Sequence, residues 1–112
     1  MNLAEKLAQA QLDYYNAHDI NGFSSVYHED VEIFRLDDQS LILRGREALI
    51  ERYTERFKNP DLHAQVVNRM VIGDQVIDHE HVKGIVEGEI VKAVAIYKIK
   101  DDLIRTVWFL YE

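Results

Sequence analysis

Cysteine is absent from this chain of 112 residues, and proline occurs only once. Without cysteine the chain can form no disulfide and carry no thiolate chemistry, which is compatible with a reducing cytoplasm. Long apolar runs are missing too, since none approaches the roughly 20 residues that span a bilayer. The N-terminal stretch MNLAEKLAQAQLDYY carries acids and amides where a signal peptide needs a continuous apolar core. These features predict a soluble cytoplasmic protein.

Positive charge is also scarce. The chain has 13 Lys and Arg residues against 20 Asp and Glu, which gives a formal net charge of −7. The basic residues are scattered singly or lie beside acids, so no basic patch offsets this balance. A nucleic acid backbone or an anionic membrane surface would repel such a chain. We therefore expect neither nucleic acid nor a membrane as the partner.

The rest of the composition is that of an ordinary folded domain. Hydrophobic residues make up 47% and charged residues 29% of the sequence, values typical of globular proteins. The length matches the usual size of one domain and is enough for one hydrophobic core. We therefore expect a single domain over residues 1–112, without internal repeats.

Apolar periodicity predicts three helices in the first half of the chain. From Asn2 to about His18, apolar residues recur at steps of three and four, as on one face of a helix. The segment DINGFSSVYHEDV follows as a short second helix that Asp19 can cap. GREALIERYTERFKNP is the third, and Pro60 lies just past its end, where it cannot extend the helix.

Strand-like alternation begins at Val31 and dominates the second half of the chain. The first strand leads through the turn LDDQS into a short partner, LIL. Four further strands follow, joined by tight turns: HAQVVNRMVI, VIDHEHVKGIV, EIVKAVAIYKI and LIRTVWFLY. Helices first and antiparallel strands last predict an α+β domain, with helices packed on one face of a curved, mainly antiparallel sheet.

This order of elements resembles the nuclear transport factor 2-like superfamily, including its SnoaL-like and ketosteroid isomerase-like members. The resemblance rests on YNAHDINGFSSVYHEDVEIF, RGREALIERYTERF and DDLIRTVWFLY, and it covers nearly the whole chain. It implies a cone, in which the three helices cover the concave face of a strongly curved sheet and leave an apolar pocket. It also implies a homodimer formed through the outer sheet face. Because the fold hosts many functions, the site must decide the reaction.

The catalytic positions of the steroid isomerase members hold other residues here. That pattern has a tyrosine on the first helix, a base aspartate on the first strand and a second acid on a late strand. The matching positions are Gln11, Arg35 and Ala95. All three differ, so the resemblance does not imply steroid isomerase chemistry by that mechanism.

The same alignment indicates which side chains line the pocket. The predicted ligand-binding residues are Gln11, Tyr15 (or Tyr14), Arg35, Tyr53, Phe57, Asn68, Tyr97 and Trp108. The inward strand faces would also carry Ile33, Ala93, Ala95, Thr106 and Leu110. Such a pocket suits a small, largely apolar ligand, although its aromatic residues could equally be plain core residues. A buried Arg35 would either pair with an acid or bind a carboxylate on the ligand.

The stretch VIDHEHVKG places Asp78, His79, Glu80 and His81 in four consecutive positions. On a strand, alternate residues share a face, so the two acids lie together and the two histidines lie opposite. All four therefore cannot meet at one ion. Because the histidines share their face with Lys83, a residue type that is rarely buried, we expect the acids to face the pocket.

Two partly buried carboxylates at this spacing titrate nearer to neutral pH than isolated acids do. Asp78 or Glu80 could then act as a general base, while Arg35 or Asn68 polarises a ligand carbonyl. The alternative is structural: Arg35, Arg69 or Asn68 simply pairs with the acids.

The two histidines of this strand also have two readings. His79 and His81 are spaced as two metal ligands on one strand face, and His63 is a conceivable third. An exposed or dimer-interface pair is the more ordinary reading, since two histidines alone rarely make a site. We predict neither a metal nor another cofactor.

Two functions therefore stay open. One is a small-molecule-binding domain that could act as an isomerase, dehydratase or cyclase, with Asp78 or Glu80 as the base. The other is a non-catalytic dimerising or ligand-sensing module. It is favoured by apolar residues expected on the outer strand faces, namely Val94, Ile96, Val107 and Phe109.

Overall fold

The computed structural model describes residues 1–112 and contains three helices and six strands. The helices are α1 (Leu3–Asn16), α2 (Ile20–Ser25) and α3 (Arg46–Arg56). The strands are β1 (Tyr27–Arg35), β2 (Leu41–Arg44), β3 (His63–Ile72), β4 (Gln75–Lys83), β5 (Ile90–Lys100) and β6 (Leu103–Tyr111). This confirms the predicted α+β class with its helices in the first half of the chain. None of the helices combines the length and hydropathy needed to cross a bilayer.

All six strands belong to one open sheet in the order β2-β1-β6-β5-β4-β3. Every neighbouring pair is antiparallel except β1 and β6, which run parallel. The β5–β6 connection is a two-residue turn at Asp101 and Asp102, both with positive φ, as the right-handed twist of a hairpin favours. The mainly antiparallel sheet predicted from the sequence is thus confirmed.

Helix α1 begins at a capped end and buries one face. The Asn2 side chain accepts a hydrogen bond of 2.9 Å from the Glu5 amide, which satisfies one of the free donors of the first turn. The buried residues of the helix follow helical spacing and are Ala4, Ala8, Gln11, Leu12 and Tyr15. This face packs on the concave side of the sheet.

Helix α2 is shorter than the sequence predicts. It ends at Ser25, and β1 already begins at Tyr27, so the predicted start of this strand at Val31 is wrong. The cause is tertiary, because Tyr27 pairs with Ile104 of β6 and is drawn into the sheet. Sheet pairing here overrides the local helical pattern.

Phe23 of α2 is the centre of an aromatic cluster and is only 1% exposed. Its ring centroid lies 4.8 Å from that of Tyr53, 4.9 Å from Tyr27, 5.4 Å from Phe57 and 6.1 Å from Tyr15. Tyr15 belongs to α1, Tyr27 to β1 and Tyr53 to α3, and Phe57 directly follows α3. Phe23 therefore ties all three helices to the sheet.

Strand β6 contains a register shift that changes which residues face inward. Ile99 pairs with Ile104, but Tyr97 pairs with Val107, so β6 has one extra residue between these pairs. A shift of one residue turns the remainder of a strand over. As a result Ile104 and Val107 are both fully buried, whereas Trp108 lies on the outer face.

This shift corrects the predicted faces of the last strand. Thr106, Trp108 and Leu110 were expected inside and Val107 and Phe109 outside, which is wrong from Thr106 onward. Residues directly opposite each other on neighbouring strands share a face. The inward residues of β6 are therefore those opposite Tyr97, Ala95 and Ala93, namely Val107, Phe109 and Tyr111.

Candidate functional site

A cavity lies between the helices and the concave face of the sheet. Its volume is only about 30 Å³, so the cavity is narrow. Of its 15 lining residues, 12 are hydrophobic. The polar or charged lining residues are Gln11, Arg56 and Glu80. A ligand would meet an aromatic wall with three polar groups.

A bulge in β3 decides which side chain meets Asp78. Val66 pairs with Glu80, but Arg69 pairs with Asp78, so Val67 is an extra residue in the ladder. Before Val67 the even-numbered residues of β3 face inward, and after it the odd-numbered residues do. The bulge therefore brings Arg69 inward and turns Asn68 outward.

Asp78 is fully buried and completely paired. Arg69 donates two hydrogen bonds to its carboxylate, from Nε to Oδ1 at 2.7 Å and from Nη2 to Oδ2 at 3.0 Å. The third guanidinium nitrogen donates to Gln9 Oε1 at 2.9 Å. A buried charge of this kind is stable because a partner neutralises it. Asp78 does not line the cavity and has no free oxygen for a ligand.

Glu80 lies two residues further along β4 on the same face, and its environment is different. It is 6% exposed, lines the cavity and receives no hydrogen bond from the protein. Burial raises its pKa to about 8, the charge of Asp78 adds to that rise, and Arg69 opposes it. Of the two acids, Glu80 is the one that can exchange a proton with a ligand.

A chain of side-chain hydrogen bonds crosses the cavity wall near Glu80. The Tyr27 hydroxyl donates to Gln11 Oε1 at 3.2 Å, and Gln11 Nε2 donates to the Tyr97 hydroxyl oxygen at 3.1 Å. Gln11 Nε2 also donates to the Ala8 carbonyl at 3.1 Å. Burial, then the nearby charge of Glu80, raises the pKa of Tyr97 well above its usual value, so the phenol stays protonated. Its hydrogen has no acceptor in the protein and can be donated into the cavity.

The prediction for Arg35 is wrong. Its side chain is 51% exposed and donates to Asp37 from Nε at 3.2 Å and from Nη2 at 3.0 Å. Arg35 is the last residue of β1, where the turn into β2 brings Asp37 and Asp38 within reach. A guanidinium is more stable there than inside an apolar cavity. It pairs with neither Asp78 nor Glu80.

Three other predicted ligand-binding residues lie outside the cavity lining. Asn68 is exposed because of the β3 bulge. Trp108 lies on the outer sheet face, stacked against Phe34 with ring centroids 6.5 Å apart, because of the β6 register shift. Phe57 is buried behind Tyr15, with ring centroids 5.5 Å apart, and fills the core.

Four of the predicted ligand-binding residues do lie in the cavity wall. They are Gln11, Tyr15, Tyr53 and Tyr97. The lining residues that the sequence reasoning missed include Tyr27, Arg56, Phe109 and Tyr111. Arg56 follows Tyr53 by three positions, and that helical spacing could have indicated a shared face.

The histidines of the DHEH stretch lie on the outer face of β4. His79 is exposed and His81 half-buried, and their ring centroids are 5.3 Å apart. Residues 1–112 contain no group of three or more His, Cys, Asp or Glu side chains placed to hold a metal ion. The acids face inward and the histidines outward, in the arrangement expected from alternation.

The fold and the cavity define a class of protein: a helix-covered cone of curved sheet with a pocket inside. The sequence profile of the SnoaL-like domain matches residues 8–107. The chain therefore belongs to the SnoaL-like domain family, within the nuclear transport factor 2-like superfamily. No curated protein matches the chain.

Solved structures with the same fold are numerous. A cystatin-fold protein from Novosphingobium aromaticivorans is 25% identical with a TM-score of 0.86, over 98% of each chain. A candidate ketosteroid isomerase from Kribbella flavida is 16% identical with a TM-score of 0.84, over 98% of this chain and 78% of its own. A candidate polyketide cyclase from Sinorhizobium meliloti is 18% identical with a TM-score of 0.80, over 98% and 100%. At 16% and 18% identity, the last two show the fold alone.

Proposed function

We propose that the protein binds a small, largely apolar ligand in the cavity and transfers a proton on it through Glu80, as an isomerase or lyase does. One observation carries this proposal. Glu80 is a buried carboxyl that faces the cavity without a protein partner, and its pKa of about 8 lies near neutral pH. A general base or acid works best when its pKa lies close to the working pH.

The proposed step begins with ionised Glu80. Its carboxylate takes a proton from the carbon next to a ligand carbonyl, and the electron pair of that C–H bond moves to the carbonyl oxygen as an enolate. The Tyr97 hydroxyl donates a hydrogen bond to that oxygen, where negative charge develops. In a ligand with a C=C bond on the far side of that carbon, protonated Glu80 then returns the proton to the distal carbon of the C=C bond, and the C=C bond shifts next to the carbonyl, which completes an isomerisation. In a lyase the same electron pair expels a leaving group.

Two solved structures of the same fold support this proposal. The Kribbella and Sinorhizobium relatives are described as a candidate ketosteroid isomerase and a candidate polyketide cyclase. Asp78 is the less suitable base, because Arg69 occupies both of its oxygens. A single domain in the cytoplasm, without a cofactor, remains the expected setting.

Deuterium exchange tests the proton transfer before the natural ligand is known. Small aryl ketones with enolisable C–H bonds would be incubated with the protein in D2O, and loss of the C–H signal followed by proton NMR. We expect wild type to accelerate exchange, with a rate that rises with pH as Glu80 ionises and levels off above about pH 8. Glu80→Gln should lower the rate by about 100-fold or more.

Glu87→Gln is the matched control, since Glu87 is an exposed acid in the β4–β5 connection. It should exchange at the wild-type rate. Undiminished exchange by Glu80→Gln would show that another group moves the proton.

A second function, homodimerisation through the outer sheet face, is favoured by a different observation. One apolar side chain from each strand forms a continuous row across this face, and we call it the apolar row. Its members, in sheet order, are Leu41, Phe34, Trp108, Ile96, Ile77 and Met70. Leu41 is 44% and Met70 52% exposed. A contiguous apolar face of this kind is typical of a protein interface.

Sedimentation velocity at micromolar concentration tests the dimer. We expect wild type to sediment as a dimer and Ile96→Lys, at the middle of the apolar row, to sediment as a monomer. Val86→Lys changes an exposed apolar residue outside the sheet and should leave the dimer intact. A wild-type monomer would exclude this interface.

A further inference from the structure

Arg56 is the only cation in the cavity lining. It ends α3 and is half-buried among tyrosines, with its guanidinium carbon 5.1 Å from the centre of the Tyr53 ring. Its polar neighbours are the neutral phenols of Tyr15, Tyr53 and Tyr111, and it forms no ion pair with a carboxylate. Glu80, the other charged group of the lining, forms no ion pair with Arg56.

The lack of an anionic partner distinguishes Arg56 from the other arginines. Four of them pair with carboxylates, namely Arg35, Arg44, Arg69 and Arg105. Arg46 donates to the Tyr27 carbonyl at 2.6 Å and 3.1 Å, and Arg52 is exposed to solvent. Arg56 alone is half-buried with only tyrosine hydroxyls as neighbouring acceptors. A neutral phenol does not compensate the charge of a guanidinium, so an anionic ligand would stabilise Arg56 in this position.

We propose that the ligand of this cavity carries a carboxylate, which binds Arg56, and an apolar body that extends along the aromatic wall toward Glu80. This inference rests on the proposed function, because it assumes that the cavity binds a small molecule. The planar guanidinium matches a carboxylate with two parallel hydrogen bonds. A single cation in a chain of net charge −7 is less suited to a dianion such as phosphate.

The surroundings of Arg56 agree with this assignment. Tyr111 lies beside Arg56 and is 37% exposed, so this end of the cavity reaches solvent. A ligand can therefore enter with its apolar body first and its charged group last. Glu80 is largely protonated at pH 7 because its pKa is about 8, so it does not repel an anionic ligand strongly. Because the cavity is narrow, its lining side chains must shift when a ligand binds. Tyr111 is the most exposed aromatic residue of the lining.

Paired probes separate the charge from the apolar body. Phenylacetate and phenylacetamide have nearly the same shape and differ by one negative charge. Their affinities would be measured by isothermal titration calorimetry at pH 7, with NMR shifts at Val82 and Ala93 to show that binding is in the cavity. We expect wild type to prefer the acid by about tenfold or more, as for a charge-assisted hydrogen bond.

Three variants on α3 then identify the cation. Arg56→Met keeps the length of the side chain and should abolish the preference for phenylacetate, while Arg56→Lys should retain part of it. Arg52→Met removes an exposed arginine one turn earlier on the same helix and should bind like wild type.

Each outcome decides the inference. Loss of the preference in Arg56→Met alone supports it. Equal binding of the acid and the amide by wild type, or an unchanged preference in Arg56→Met, overturns it and leaves the cavity as a neutral ligand site. If neither probe binds wild type, or neither shifts Val82 and Ala93, both this inference and cavity binding of such ligands fail.

Discussion

Two acids on one strand face should respond oppositely to the same substitution. Asp78 and Glu80 are both buried on the inner face of β4, but only Asp78 has an arginine partner. Changing each carboxylate to its amide keeps the shape of the side chain and removes the charge. We therefore expect Glu80→Gln to stabilise the protein at neutral and higher pH and Asp78→Asn to destabilise it.

The magnitude for Glu80 follows from its pKa. The ordinary value is 4.5 and the folded value about 8. Because the folded pKa is raised, the contribution of Glu80 to stability is fully present below pH 4.5 and is lost as the pH rises through 8. At pH 7 the folded protein has lost about 3 kcal/mol relative to acidic pH, at roughly 1.4 kcal/mol per pH unit. Glutamine has no proton to lose, so Glu80→Gln removes this loss.

The Asp78 variant leaves a different defect. Loss of the Asp78 charge leaves the Arg69 guanidinium, whose side chain is 14% exposed, without an anionic partner. Breaking a buried ion pair in this way destabilises a protein by about 3–5 kcal/mol. The charge of Asp78 also raises the pKa of Glu80, so Asp78→Asn should lower the pKa of Glu80.

Urea denaturation followed by circular dichroism at pH 5, 6, 7 and 8 measures these effects. The contributions of other titrating groups cancel in the difference in unfolding free energy between Glu80→Gln and wild type. This difference should grow by about 3 kcal/mol from pH 5 to pH 8. Carboxyl carbon NMR of wild type and Asp78→Asn gives the pKa of Glu80 directly. A difference that does not change with pH would refute the assignment of Glu80 as a buried, unpaired acid.

Three further substitutions test the packing, each by urea denaturation at pH 7. Arg69→Met leaves Asp78 buried without its partner and should lower stability by about 3–5 kcal/mol; a loss under about 1 kcal/mol would mean that the pair is not needed. Phe23→Ala empties the centre of the aromatic cluster and should lower stability by about 3–5 kcal/mol, whereas an unchanged midpoint would place Phe23 outside the core. Gly84→Ala should lower stability by about 1–3 kcal/mol, because Gly84 has a φ of +91° and an added Cβ would lie 2.6 Å from the Leu62 backbone; wild-type stability would show that the backbone there moves freely.

Much of the fold could be predicted from the sequence because it depends on local pattern. Helical spacing predicted the helix α1, although its buried face lies one position beyond the apolar stripe that begins at Leu3, which is 46% exposed. Alternation along β4 placed Asp78 and Glu80 inward. That second prediction needed only the apolar neighbours Val76 and Val82 and the outward Lys83. The inward position of Gln11 came from the family resemblance and the structure agrees with it.

Two of the errors at the candidate site, those at Asn68 and Trp108, come from single-residue register shifts. Val67 is extra in β3 and turns Asn68 out and Arg69 in, and the shift before Thr106 turns Trp108 out. Neither position carries a glycine or proline that would mark a bulge in the sequence. Because side chains alternate with a period of two, one unmarked residue exchanges the faces of everything beyond it.

The sequence by itself determined the class of fold, the absence of cysteine chemistry, the negative charge and the existence of two inward acids. Only the tertiary structure decided that Arg69 binds Asp78, that Glu80 has no partner, and that Arg56 rather than Arg35 lies in the cavity. The physical reason is that local pattern fixes the face on which a side chain lies, whereas its charge partners come from distant segments. Those partners are set by strand pairing and by where each strand ends.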